Sequence, residues 1–81
     1  NNRKKYLRSI MELWVNWERD TLMLYEEKAA HCRNAGYEKC ALFLDSFVED
    51  VYCELKEAET LWTKFEMCEW RPFDILTIVK E

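Results

Sequence analysis

The chain has almost nothing with which to break a helix: one glycine and one proline in 81 residues. That scarcity excludes turn-rich sheet architectures and leaves a few long helices as the economical fold. No run of about eighteen apolar residues exists, so nothing reads as a membrane span, and no signal-peptide pattern opens the chain. Histidine occurs once, at His31. The four cysteines, at 32, 40, 53 and 68, fit neither a compact disulfide scaffold nor a C-x-x-C metal pair. They read as reduced, mostly buried, and suited to the cytoplasm. Positive charge is also short. The net charge is −4, and the only basic run, "RKKYLR" at 3–8, argues for a solvated helix start rather than a nucleic-acid grip. Catalytic triads and phosphate-binding loops are missing, which sets aside hydrolase and nucleotide-binding chemistry.

What remains is apolar and aromatic. About half the residues are hydrophobic and 15% are aromatic. The periodicity predicts helix 1 over about 3–33, a turn at 34–36, helix 2 over about 37–69, and a short helix over about 72–80 that begins at Pro72. Asn34 or Gly36 supplies the left-handed residue at the turn. Helix 1 carries two adjacent apolar rows. One is Met11, Trp14, Val15, Leu22, Tyr25, Ala29 and Cys32; the other is Leu7, Ile10, Trp14, Trp17, Thr21 and Leu24. Helix 2 carries Cys40, Leu44, Phe47, Val51, Ala58, Leu61 and Phe65. Phe73, Ile75 and Leu76 are expected to fold the tail back on the pair. The fold class is therefore all-α: one domain over 1–81, an antiparallel hairpin with a short C-terminal helix. Faces this broad are more than two helices can cover, and predict a homodimer or higher homo-oligomer closing into a four-helix bundle.

Two carboxylates interrupt the apolar rows. Glu18 falls between Val15 and Leu22, and Glu54 between Val51 and Ala58. Measured from the turn at Gly36 they stand at equal height on the two arms, both expected to look inward. Like charges meeting in an apolar layer require a shared proton or a cation. Glu57 is placed on the rim of that layer, and the Tyr25 hydroxyl on the same side. The plainer reading lets both carboxylates reach solvent, or pair with Arg19, Lys28 or Lys56. His31 reads as a cation at a helix C-terminus. Cys32 and Cys40 should face each other across the turn, as packed thiols or, less economically, a disulfide.

Glu18-x6-Tyr25 on one helix, followed after a short turn by Glu54-x-x-Glu57 within "CELKEAETL", resembles the first helix pair of the ferritin-like di-iron carboxylate superfamily. The resemblance spans about residues 10–65. It departs from the family in having Glu57 where the family has histidine, and in lacking the second helix pair. It therefore implies a half-length member that completes its bundle with a second subunit, as small encapsulated-ferritin-type proteins do. It further implies iron or manganese held by Glu18, Glu54 and Glu57 from each copy, Tyr25 behind the ligands, and ferroxidase-type oxidation of Fe(II) with dioxygen. The other class of function is a non-enzymatic helical module, without metal, that self-associates or docks a partner through its aromatic faces.

Overall fold

The computed structural model describes residues 2–80, which form three helices: α1 (Asn2–Asn34), α2 (Glu38–Met67) and α3 (Pro72–Lys80). Among the described residues there are no strands, and no helix is long and apolar enough to cross a membrane. α1 and α2 pack side by side as an antiparallel hairpin, and α3 packs against α2. The result is a plate of 52 × 24 × 14 Å, little more than one helix thick.

The reversal between the arms uses the one glycine. Gly36 takes φ 87°, its N–H donates to the Arg33 carbonyl, and the Tyr37 N–H donates back to the Cys32 carbonyl. That pair of bonds is the Schellman ending of a helix. Gly36, rather than Asn34, is thus the left-handed residue. Asn34 remains helical.

α2 ends by the same device without a glycine. The Glu69 N–H donates to Glu66 and the Trp70 N–H to Phe65, with Glu69 at φ 56° and Trp70 at φ 59°. Helix 2 therefore stops at Met67, two residues before the sequence expectation of 69. Side chains with a Cβ resist this conformation by roughly 1–2 kcal/mol, and packing offsets the cost. The Trp70 ring lies edge-on to Phe65 at 5.4 Å and to Trp62 at 5.1 Å. Each such pair is worth about 0.5–1.5 kcal/mol beyond burial. One polar atom loses in the exchange: the Trp70 indole N–H is buried without a partner.

The core forms two joined clusters. Met11, Phe65, Trp70 and Ile75 close the open end of the hairpin, with Leu7, Trp14, Leu61, Trp62, Cys68 and Ile78 around them. Val15, Leu55 and Ala58 fill the middle. Ala29, Ala41 and Ala58 are almost fully buried, so small side chains set where the arms come closest. The first apolar row of α1 is buried or half-buried, as its spacing predicts.

The structure corrects several other expectations. In the second row, Ile10, Trp17 and Leu24 are exposed, because α2 covers only one side of α1. In α2 the central contact is Leu55, and Cys40 and Phe47 lie at the exposed margin. α3 docks through Ile75, as expected, together with Ile78, while the other two expected residues, Phe73 and Leu76, are exposed. All four cysteines are free, with Cys40 and Cys53 exposed and Cys32 and Cys68 half-buried. They are not mostly buried, because Cys40 and Cys53 fall outside the rows that face the core.

Candidate carboxyl site

The hairpin has two unlike sides. One is polar and laced by ion pairs between the arms: Arg8 to Glu66 at 3.1 Å, Arg19 to Glu59 at 2.9 Å, and Arg33 to Asp45 at 2.5 Å. Lys56 also reaches Glu59 at 3.4 Å. Arg19 holds the Glu59 carboxyl below its usual pKa. Arg8, Glu12, Asn16, Arg19, Glu59 and Trp62 line a shallow groove on this side. The other side is apolar along α1 and at the turn end of α2, with Asp50, Glu54 and Glu57 exposed further along α2. Tyr25 stacks on Phe47 at 5.7 Å with 18° between the rings, and Phe43 meets Phe47 edge-on at 5.0 Å. With 100° of rotation per residue, Ile10, Trp17 and Leu24 fall on the same side as Tyr25.

Glu18 sits in the seam between the arms at 9% exposure, the one buried charged residue among those described. Two neighbours act on its carboxyl: the Trp14 indole, one turn earlier on α1, favours its charged form, and the Glu54 side chain of α2 is close enough to share a proton with it. Two carboxyl groups can share a hydrogen bond only if one carries a proton. Burial raises the Glu18 pKa first. The adjacent Glu54 charge raises it further, and so does the hydrogen bond to Glu54, while the Trp14 bond pulls it back. Two of the three cations that the plain reading offered lie elsewhere, since Arg19 and Lys56 are both engaged with Glu59 on the polar side.

The turn thus works as a ruler, and Glu18 and Glu54 do meet. They are not equivalent, however. Glu54 is exposed, because Leu55 rather than Glu54 points at α1, so the pair has one dry member and one wet one. Glu57 is exposed one turn further along and is not gathered with them. Among the described residues no three acidic, histidine or cysteine side chains are grouped as a metal ion requires. Tyr25 is half-buried, its ring engaged by Phe47. His31 is exposed in the last turn of α1. The Trp14 contact escaped the sequence reading, although its i, i+4 spacing to Glu18 was the available signal.

Fold and site define an all-helical antiparallel hairpin with an apolar face along α1 and, at mid-height, a buried Glu18 beside an exposed Glu54. No family model, curated protein or solved structure matches the chain.

Proposed function

We propose that this chain acts by self-association, as a helical hairpin whose apolar face is covered by a second copy of itself. The division between its two sides carries the reading. Ion pairs between the arms complete the polar side. The opposite side leaves Trp17 70%, Leu13 70%, Leu24 51% and Phe43 65% exposed, and contiguous exposed apolar surface marks an interaction site. A four-helix bundle of two hairpins would cover it. The four free cysteines suit a reducing compartment, and we place the chain in the cytoplasm on that basis.

Sedimentation equilibrium across micromolar concentrations tests the reading. The expected result is a homodimer or higher homo-oligomer. Leu13→Glu with Trp17→Glu should give a monomer of unchanged helicity, since neither side chain supports the hairpin core. A parent chain that stays monomeric at high micromolar concentration overturns the proposal.

The Glu18–Glu54 contact favours a second reading, in which the dimer binds metal. One chain brings two carboxylates together and leaves Glu57 apart, which falls short of a complete shell, so a single copy does not fit a metal centre. The reading stands only if a second copy supplies its own Glu18 and Glu54, with Glu57 at the edge and Tyr25 behind. Four carboxylates of that kind suit iron or manganese as hard cations, in line with the ferritin-like resemblance. Elemental analysis after loading and dialysis decides it. At least one ion per dimer, lost in Glu54→Ala, is expected; sub-stoichiometric metal, or metal retained by that variant, removes it.

A further inference from the structure

Along α1, Tyr6, Ile10, Leu13, Trp17 and Leu24 follow at intervals of four, three, four and seven residues. All five are exposed, from 45% at Ile10 to 71% at Tyr6. This is the spacing of a helix-pairing seam. It runs roughly a third of a turn away from the row Met11, Val15, Glu18 and Leu22 that α2 covers. α1 therefore has a second, unused seam alongside its first.

Two observations say what covers it. Trp17 stands midway between Ile10 and Leu24, seven residues from each, so an antiparallel copy centred on it sets Ile10 against Leu24 and Leu13 against Thr21. The charges are not symmetric. Lys5 flanks the seam near its start, while exposed Asp20 and Glu27 flank it after Trp17. Two copies of α1 laid parallel would oppose lysine to lysine and acid to acid. Laid antiparallel about Trp17, Lys5 comes within two residues' rise of Glu27 of the other copy, the helix dipoles oppose favourably, and Lys28 comes level with the Tyr6 ring, where an ammonium is attracted. α2 is unsuited to pairing with its own copy. Its corresponding row, Phe43, Phe47, Asp50, Glu54, Glu57 and Leu61, is acidic at the centre and would set like charges against each other.

We propose that α1 pairs antiparallel with α1 of a second copy, the two-fold axis passing close to Trp17. The proposal rests on the self-association reading and adds to it the helix, the direction and the centre of the contact. Trp17 packs near its own copy, Ile10 lies against Leu24 of the other chain, and Phe43 and Phe47 extend the covered surface beside Tyr25.

Disulfide trapping tests the arrangement in a background whose four cysteines are replaced by serine and which sediments like the parent. Trp17→Cys is expected to cross-link to itself. Ile10→Cys is expected to cross-link to Leu24→Cys when the two are mixed, and neither with itself. Efficient Ile10→Cys self-linkage, or dimers that trap at none of these positions, overturns the arrangement and leaves self-association standing. A monomer at every concentration overturns self-association itself. In the chain with its native cysteines, Lys5→Glu should weaken the dimer several-fold; tighter association, as a parallel contact would give, sinks the proposal.

Discussion

The Glu18 carboxyl, buried on α1, is close enough to share a proton with the Glu54 carboxyl at the exposed edge of α2. The contact sets a pH dependence whose sign follows from linkage. The folded-state pKa of Glu18 is raised above the ordinary 4.5, so folding is favoured by protonation. The stabilising effect is complete below about pH 4.5 and fades as pH rises through the higher folded value. Glu59 works in the opposite sense, because Arg19 lowers its pKa and its contribution is lost on acidification. Glu18→Gln keeps a donor toward Glu54 and removes the buried charge. At pH 8 the variant should resist urea better than the parent, because the parent must there hold a buried charge beside Glu54. The difference should close as pH approaches 4.5. A parent that is the more stable at pH 8 would refute this account of the pair.

Trp70 separates packing from hydrogen bonding. Truncation to Ala empties the closed end of the hairpin and should cost about 3–5 kcal/mol. Trp70→Phe gives up part of the ring but also removes the partnerless buried N–H, whose desolvation costs about 1–3 kcal/mol. The net change for Phe should therefore stay within about 1 kcal/mol in urea unfolding. A loss as large as that for Ala would mean the indole N–H has a partner after all.

The two left-handed corners predict opposite responses. Nothing lies within 4 Å of a Cβ placed on Gly36, whose φ is 87°, so Gly36→Ala meets only backbone strain and should cost about 1 kcal/mol. Glu69→Gly relieves that strain at φ 56° and should add about as much. For a chain of this size 1 kcal/mol moves the melting temperature by roughly 4–8 °C. Equal effects of the same sign at both sites would contradict the geometry.

Ala58 is fully buried in the middle cluster between the arms, with Val15 and Leu55. Ala58→Leu should overpack the seam and cost about 1–3 kcal/mol. It should also push Glu54 away from Glu18, so the urea stability of this variant would lose the acid-side gain described above. A tolerated leucine with the pH dependence intact would show that the arms can part without breaking the pair.

The hairpin was legible because its evidence is local. Breakers are confined to Gly36 and Pro72, and a 3.6-residue period runs unbroken between them. The meeting of Glu18 and Glu54 was legible for a related reason: one tight turn fixes the register of two straight arms. What sequence left open was rotation. A helix face is known from its period to within about one residue position, and one position decides whether Leu55 or Glu54 faces the partner helix, or whether α3 docks through Ile75 and Ile78 or through Phe73 and Leu76. The left-handed Glu69 carries no sequence signal, since its conformation is held by Trp70 packing on Phe65 from further along the chain.

The ion-paired side has a consequence for growth. A plate adhesive on both sides would stack without limit, whereas here ion pairs between the arms, Arg8 to Glu66, Arg19 to Glu59 and Arg33 to Asp45, occupy the side opposite the proposed contact. Under that proposal, pairing through one side ends in a closed particle rather than a fibre.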